Sequence, residues 1–433
     1  MDKTQEMLER WCSAPGVTFK YAETEEAFKK RARRIADVIQ LKTPDRVPVT
    51  PAFGMFPALD NGFTCEDVFF DPNKAYTAWM KTLADFEPDT YRIPNRPGYA
   101  WEAIDCKQII LPGRGVSPNS GMQYVETEYE TADEFYDAFL EDPTDFILRV
   151  HLPRICGILE PLKNLPPIRE AFSYYLGLPG MLQAFGHPEI SGAFEKLCKA
   201  GAEMLKWANF SREKSMEIMG MGFPADFGAG SHAPFDMIGD FIRGTRGIML
   251  DMFRRPDKLI AAMEKIVPIL IEMGLRAKKK GNPFVSIPLH KGADGFMSID
   301  QYKTFYWPTL RKVMIGLIDE GLVPAPFFEG DNTSRLEIIK DIPKGKAVYR
   351  FERVDIYMAK EILGDTVCFR GNVPVSLLST GTPEQVRAYV KELIDVVGKD
   401  GGLVVDCGSI IDEARHENVK AMIEYTKEYG RYE

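Results

Sequence analysis

Short apolar runs alternate with amphipathic segments along most of the chain. Eight of the runs have the length and composition of buried strands, at residues 47–52, 89–93, 217–222, 284–289, 323–328, 347–352, 367–371 and 403–406. Helical spacing of apolar residues fills the gaps between the later runs. One of these helices has a clear beginning, because Thr382 supplies a hydroxyl cap and Pro383 a first turn. The pattern predicts parallel strands joined by crossover helices.

Eight alternations of this kind favour an α/β fold closed into a (β/α)8 TIM barrel. A doubly wound open sheet is the alternative, but no GxGxxG motif follows an early strand, which removes the commonest mark of that fold. A long insert, about residues 94–216, separates the second and third predicted strands. It contains a predicted hairpin that joins 108–111 to 122–127, and helical patterns near 181–207.

The first 40 residues are rich in Glu, Lys and Arg, with apolar residues such as Phe28 and Ile35 at helical spacing. They predict one or two surface helices that lead into the fold. We therefore divide the chain into an N-terminal helical segment, residues 1–45, and one barrel, residues 46–433. The insert belongs to the barrel in this division, because it interrupts the β/α series.

Composition narrows the function classes. The chain has 433 residues, of which 54 are basic and 63 acidic, a net charge of -9. A non-specific nucleic-acid binder needs a basic surface, so no nucleic-acid partner is expected. The chain shows neither an apolar run of 18 residues nor a signal sequence, so no membrane association is expected. Seven scattered cysteines without a CxxC pair are typical of a reducing compartment, and we expect a cytoplasmic protein.

Active sites of β/α barrels lie at the carboxyl ends of the strands, so polar residues there are the candidates. In chain order, these ends carry His290, Glu329, Glu352 and Cys407. One imidazole, two carboxylates and a thiol are ligands that Zn²⁺ accepts, and a catalytic zinc keeps an open position beside three of them. The chain has only five histidines, so a metal site needs carboxylates or a thiolate as well.

Each of these candidates also has a structural interpretation. His290 would hydrogen-bond a neighbouring loop, Glu329 would pair with Lys291 or Arg353, and Cys407 would fill the core as a small residue. Both interpretations stay open on the residues alone. Further polar candidates near the strand ends are His232, Asp294, Asp331 and Asn372.

Several motifs of the second half resemble those of the uroporphyrinogen decarboxylase superfamily. Residues 371–386 read GNVPVSLLSTGTPEQV, similar to its GNxxP…LL…GTPEEV stretch, and residues 417–422 read ENVKAM, like its final helix. Residues 355–364 match its D…AK..LG helix, and residues 233–235 resemble its GPF turn. The resemblance covers about residues 217–425 and implies a (β/α)8 barrel.

The superfamily contains cofactor-free decarboxylases of uroporphyrinogen, and methyltransferases that carry zinc and work with a corrinoid protein. The decarboxylases have an arginine-rich RQAGR segment after the first strand, but residues 51–57 read PAFGMFP here. The decarboxylases also have a histidine in a GHG turn after strand eight, where residues 407–409 read CGS here. A substrate with eight carboxylates would be poorly neutralised without those arginines. Phe53 and Met55 suit a smaller, more apolar ligand.

The methanol and methylamine methyltransferases of the superfamily carry His-x-Cys after strand five, where residues 327–329 read FFE here. Cys407 lies within about a residue of their strand-eight cysteine. The resemblance thus implies Zn²⁺ held by His290, Glu329 and Cys407, with Glu352 as the alternative ligand. The chain has no DxHxxG motif, so cobalamin would be carried by a separate corrinoid protein.

The sequence therefore predicts a zinc-dependent methyltransferase that moves a methyl group between a small substrate, often methoxylated, and a corrinoid protein. The catalytic candidates are Glu329, Asp331 and His232, the last with an equal structural alternative. The substrate pocket would be lined by Phe53, Met55, Lys291, Asp294 and Asn372. Two alternatives remain: a cofactor-free decarboxylase of a tetrapyrrole or another acidic substrate, and a non-catalytic barrel that binds a corrinoid or tetrapyrrole. The resemblance also implies a homodimer.

Overall fold

The computed structural model describes residues 2–93 and 96–432 of the protein. Within them, six parallel strands lie side by side in chain order: Ala229–Gly230, Phe284–Leu289, Val323–Asp331, Val348–Arg353, Cys368–Arg370 and Leu403–Val404. A separate antiparallel pair, Ile109–Ile110 with Gln123–Tyr124, is the predicted hairpin of the insert.

Two extended segments, residues 47–53 and 89–92, complete the barrel through parallel bridges to its open edges. The closing backbone hydrogen bonds have N–O distances between 2.8 and 3.1 Å and run from Val405 to Pro48, Asp89 to Val49, Tyr91 to Pro224 and Gly228 to Phe284. Eight parallel segments therefore surround one core, and the (β/α)8 barrel is confirmed.

Helices flank the strands and fill the insert. In the first half, the α-helices are Lys3–Cys12, Ala22–Ile39, Phe56–Asp60, Cys65–Phe70, Pro72–Phe86, Gly98–Ala103, Ala132–Glu141, Pro143–Phe146, Leu152–Ile155, Leu178–Phe185 and Pro188–Gly220. In the second half, they are Pro234–Ile238, Gly244–Arg254, Pro256–Lys280, Ile299–Gln301, Trp307–Asp319, Leu336–Ile339, Ile356–Leu363, Val375–Thr380, Pro383–Leu393 and His416–Tyr429. Among the described residues, none of these helices combines the length and apolar character needed to cross a membrane.

Shorter helical turns of other types connect some of these elements. The π-helical turns are Ile147–His151, Gly239–Arg243, Tyr302–Tyr306 and Ile394–Gly398, and the 3-10 turns are Gly157–Asn164, Ile168–Glu170 and Thr333–Arg335. The helix predicted from Thr382 is confirmed, since the Thr382 hydroxyl accepts from the backbone N–H of Gln385 and the Gln385 side chain accepts from that of Thr382.

One predicted strand is wrong. Residues 217–222 close the 33-residue helix Pro188–Gly220, and the third barrel strand is Ala229–Gly230. A run of six largely apolar residues fits both the two-residue period of a strand and the 3.6-residue period of a helix. The flanking residues therefore decide which element forms. Here the helix packs on the second barrel segment, where the Tyr91 hydroxyl donates to the backbone oxygen of Ser215 at 2.9 Å.

The N-terminal helices Lys3–Cys12 and Ala22–Ile39 cover the amino end of the barrel. Both bury one face against the first residues of the strands, and the ring of Trp11 meets that of Phe284 edge-on at 5.0 Å. The two predicted surface helices are confirmed. The division into residues 1–45 and 46–433 stays a prediction, and the boundary positions 1, 94 and 433 lie outside the described residues.

Inward-facing side chains change from apolar to charged along the barrel. Beyond the apolar layer at the strand starts, Arg370 donates from Nε to Asp406 at 2.8 Å, and from Nη1 and Nη2 to Asp226 at 2.8 and 3.0 Å. Asp406 is fully buried and Asp226 nearly so. This ion network forms the floor beneath the carboxyl ends of the strands.

Candidate functional site

The fourth strand, Phe284–Leu289, ends directly before His290 and delivers its ring to the carboxyl end of the barrel. Nδ1 of His290 donates to Oδ2 of Asp240 at 2.6 Å, and Nε2 lies 3.7 Å from Oε1 of Glu329. Asp240 lies in the π-helical turn Gly239–Arg243, just after the third strand's helix. A carboxylate at one ring nitrogen fixes the orientation of the imidazole and leaves the other nitrogen for a ligand or substrate.

Asp236 anchors the backbone at the same strand end. Its carboxylate accepts from the backbone N–H groups of His290 at 2.8 Å and Lys291 at 3.1 Å, and from the hydroxyl of Tyr306 at 2.6 Å. The side chain is fully buried. Burial and the neighbouring charge of Asp240 raise the pKa of Asp236 to about 6. Three hydrogen bonds to one carboxylate thus hold His290 in position.

The charges around His290 favour its protonated form. Burial acts to lower the pKa of His290, but the hydrogen bond to Asp240 and the charges of Asp240, Asp236 and Glu329 raise it to about 9. Burial raises the pKa of Glu329, and the positive charge of His290 opposes this shift. The pair therefore holds an ionisable proton next to a partly desolvated carboxyl group, and a bound cation would compete for the same two atoms.

His232 brings a second imidazole to the site. Its ring centroid lies 5.8 Å from that of His290, nearly perpendicular, and its other side meets Phe241 at 5.6 Å. Nδ1 is buried without a hydrogen-bond partner among the described residues. Burial and the charge of His290 lower the pKa of His232 to about 4. His232 is thus a neutral imidazole beside a charged one, and its predicted catalytic role stays a prediction.

Lys291 is buried and its ammonium group faces two carboxylates of the protein. It pairs with Asp240 of the π-helical turn Gly239–Arg243 and, at 3.1 Å, with Glu126 of the insert. Those bonds and Coulombic attraction, which outweigh burial, raise the pKa of Lys291. Lys291 therefore links the insert to the His290 side of the site, and its predicted contact with substrate stays a prediction.

The four predicted metal ligands are not all brought together. His290 and Glu329 are neighbours, but the buried thiol of Cys407 donates to the backbone oxygen of Ser409, and burial raises its pKa. Oε2 of Glu352 accepts from the backbone N–H of Gly330 at 2.7 Å. Across residues 2–93 and 96–432, no group of three His, Cys, Asp or Glu side chains is arranged to hold a metal ion.

The His290–Glu329 pair fits two adjacent ligand positions of a zinc ion. Tetrahedral ligands at zinc bond lengths are about 3.4 Å apart, close to the 3.7 Å between Nε2 and Oε1. Asp240 behind Nδ1 is the partner that metal-binding histidines usually have. Cys407 does not complete this pair, and its structural interpretation, a core residue, agrees with its full burial.

Two of the predicted site carboxylates stabilise loops. Asp331 accepts from the backbone N–H and hydroxyl of Thr333 at 3.0 and 2.8 Å. Asp294 accepts from the backbone N–H and hydroxyl of Ser334 at 3.0 and 2.7 Å. Both carboxylates organise the loop after the fifth strand, and any role at the reacting atoms stays a prediction.

The remaining pocket candidates are packed against protein. Oδ1 of Asn372 accepts from the hydroxyl of Tyr389 at 3.1 Å. The half-buried ring of Phe53 stacks on that of Phe56 at 5.6 Å, and Met55 is buried in a cluster with the helices that follow it. Phe53 is therefore the better placed of the two apolar candidates to meet a ligand.

Sequence reasoning missed Asp236 and Asp240, although a signal was present. The two aspartates lie four residues apart in an apolar segment directly after the Ala-Pro-Phe turn, and residues four apart share one helix face. It also missed Arg92 and Arg350, which lie on the second barrel segment and the sixth strand.

Comparison with known proteins gives matches concentrated in the second half of the chain. Residues 224–429 match the family model described as uroporphyrinogen decarboxylase (URO-D). The uroporphyrinogen decarboxylase of Chlorobium luteolum is 27% identical over 191 residues, which cover 41% of this chain and 51% of that protein. That of Chlorobaculum parvum is 24% identical over 182 residues, with the same coverage. The chain thus spans about half the length of the curated relatives it matches.

A solved structure extends the likeness to most of the chain. A methyltransferase from Methanosarcina mazei superposes with a TM-score of 0.60 and 16% sequence identity, covering 93% of this chain and 98% of that chain. At this identity the likeness shows a common fold.

Proposed function

Since residues 224–429 match the uroporphyrinogen decarboxylase family model, we propose that this protein is a methyltransferase of that superfamily, which moves a methyl group between a small substrate and a corrinoid protein. The observation that carries the proposal is the pairing of His290 with Glu329 under the control of Asp240. The fold shared with a methyltransferase supports it. The missing arginine-rich segment at residues 51–57 speaks against uroporphyrinogen as the substrate.

Methyl transfer from an oxygen leaves an alkoxide, which must be stabilised as the bond to the methyl carbon breaks. When bound between His290 and Glu329, zinc supplies Lewis acidity toward that oxygen. Two protein ligands are fewer than the three usual in catalytic zinc sites, so we expect weak, exchangeable binding. The hydrogen bond to Asp240 holds a proton on Nδ1 of His290. Nε2 is then the nitrogen that would lose its proton to a bound cation.

The same pair also has a function of its own without metal. His290 has a pKa raised to about 9, so at neutral pH it carries a proton on Nε2 that points toward Glu329. A leaving oxygen placed between the two groups would receive that proton, and Asp240 would stabilise the imidazole tautomer that remains. Both with zinc bound and without metal, the His290–Glu329 pair would act at the heteroatom of the methyl donor.

Decarboxylation of an acidic substrate is the second candidate. The curated relatives are uroporphyrinogen decarboxylases. Arg350 also faces the barrel interior, stacked on the ring of Phe327 at 4.2 Å. Its Nε lies 3.3 Å from Asp406 and its Nη2 donates to the backbone oxygen of Ser409, which leaves Nη1 without a partner among the described residues. A guanidinium with a free N–H group is suited to hold a carboxylate. Release of CO2 that does not depend on zinc or on a corrinoid would favour this candidate.

The test combines metal content with methyl transfer. Protein purified without chelator is analysed for zinc and mixed with free cob(I)alamin and methoxyacetate, and formation of methylcobalamin is followed by absorbance. We expect Glu329→Gln to lower the rate about 100-fold, because a zinc ion bound there would lose one of its two protein ligands and Nε2 of His290 loses the carboxylate that faces it. Glu337→Gln is the matched control, since Glu337 lies on the surface and pairs with Lys340.

Two results would count against the proposal in different ways. Wild-type protein that retains less than about a tenth of an equivalent of zinc, even with zinc supplied, removes the metal from the mechanism. Equal methylation rates for wild type, Glu329→Gln and the control remove the His290–Glu329 pair from it.

A further inference from the structure

Arg92 points into the barrel from the end of the second segment. Side chains alternate along an extended segment, so residues 90 and 92 face the same side. Tyr91 faces outward, because its hydroxyl bonds the helix Pro188–Gly220. Thr90 faces inward, because its hydroxyl donates to the interior carboxylate of Asp226 at 3.2 Å. Arg92 therefore faces the interior one step nearer the carboxyl ends, where the candidate site lies.

The guanidinium of Arg92 has no carboxylate of its own. Within residues 2–93 and 96–432 it makes neither an ion pair nor a hydrogen bond, and its side chain is accessible to solvent. Surrounding protein and the charges of Arg96, Arg350 and Arg370 lower the pKa of Arg92, while Asp226 acts in the opposite direction. A solvent-accessible arginine among other arginines gains stability when an anion binds.

The other two interior arginines already have carboxylate partners. Arg370 already uses its donors on Asp226, Asp406 and the backbone oxygen of Thr50. Nε of Arg350 lies 3.3 Å from the carboxylate of Asp406, which therefore pairs with both Arg350 and Arg370. Arg92, in contrast, has no carboxylate partner among the residues that the structure describes.

We infer that Arg92 binds a carboxylate group of the substrate, with Arg350 as a second positive charge within electrostatic range. A planar guanidinium offers two parallel N–H groups that match a carboxylate. The charge of Arg350 acts on both Glu329 and Arg92, so Arg350 is within electrostatic range of each. The inference deepens the proposed function and rests on it for the reacting group: the methyl donor would be an anion, held by its carboxylate at Arg92 and by its heteroatom at His290 and Glu329.

The inference is tested by binding alone, without corrinoid, zinc or turnover. Methoxyacetate and its neutral amide, methoxyacetamide, differ in the group that Arg92 would recognise, and both are titrated into the full chain by calorimetry at low salt. We expect wild type to bind the anion at least about tenfold more tightly than the amide. Arg92→Gln should abolish this preference, and Arg92→Lys should keep part of it, since the charge remains and the fork is lost.

Arg212→Gln is the matched control, because Arg212 lies on the insert helix Pro188–Gly220 and bonds Asn209 there. It should retain the wild-type preference for the anion, and unchanged unfolding midpoints should accompany all variants. A wild type that binds both compounds equally or neither, or an Arg92→Gln protein with the preference intact, overturns the inference. Anion preference that depends on Arg92 but no methyl transfer would sink the proposed function and leave the carboxylate site standing.

Discussion

Nδ1 of His290 donates to Oδ2 of Asp240 at 2.6 Å, and this bond favours the protonated form of the imidazole. It opposes the burial of the imidazole, which alone would lower the pKa of His290. It also leaves Nε2 as the atom that faces Glu329. Asp240 therefore acts as a positioning residue, because it changes the chemistry of His290 without reaching the reacting atoms itself.

Replacement of Asp240 by Asn should lower the pKa of His290 from about 9 to below its ordinary value, because burial then acts with less opposition. Imidazole titrations followed by NMR would measure this, and the five histidines of the chain make assignment practical. Asp60→Asn is the matched control, since Asp60 contacts Nδ1 of the distant His416. A His290 titration that is the same in all three proteins would contradict the role given to Asp240.

The two site histidines should affect stability on opposite sides of neutrality. His290 has a raised pKa in the folded state, so its stabilising effect is complete below its ordinary pKa and is lost as the pH rises through about 9. His232 has a pKa lowered to about 4, so its unprotonated form stabilises the fold above its ordinary pKa, and this is lost as the pH falls toward 4.

Chemical unfolding at several pH values measures these two effects. Asp240→Asn should flatten the loss of stability between neutrality and pH 9 or so, and His232→Gln should flatten the loss between neutrality and pH 4. If each variant leaves its own side of the profile as steep as in wild type, the assigned protonation states are wrong.

The barrel and the resemblance to uroporphyrinogen decarboxylases could be predicted because both depend on local patterns. The helix cap at Thr382 depends only on neighbouring residues in the sequence. The family model that matches residues 224–429 confirms the resemblance inferred from the sequence motifs of the second half. The third strand escaped because Ala229–Gly230 is too short to show a period. His290 and Glu329 could be predicted as strand ends, and the spacing of Asp240 from Asp236 was a signal that sequence reasoning overlooked. Arg92 could not be predicted, since its importance depends on which distant side chains the closed barrel brings near it.

The ion network in the barrel floor should be a major source of stability. Arg370→Met would leave the carboxylates of Asp226 and Asp406 buried with fewer partners, and we expect a loss of about 3–5 kcal/mol in the free energy of unfolding. Arg33→Met is the matched control, because the Arg33–Glu9 pair is largely exposed and should contribute less than about 1 kcal/mol. Urea denaturation of the three proteins measures both; losses of similar size would contradict the burial argument.

The thiol of Cys407 should stay unreactive in the folded protein whether or not metal is bound. It is fully buried, donates to the backbone oxygen of Ser409, and has a pKa raised by burial and by the charge of Asp406, so little thiolate is present. Cys198, which is exposed on the insert, provides the internal reference for rapid alkylation. Mass spectrometry after brief iodoacetamide treatment, with and without chelator, should find Cys198 modified and Cys407 intact in both samples.

A cysteine that holds zinc becomes available when the metal is removed, so labelling of Cys407 only after chelation would restore it to the metal site. Zinc content unchanged in Cys407→Ser would agree with the sealed position of the thiol and leave His290 and Glu329 as the ligands.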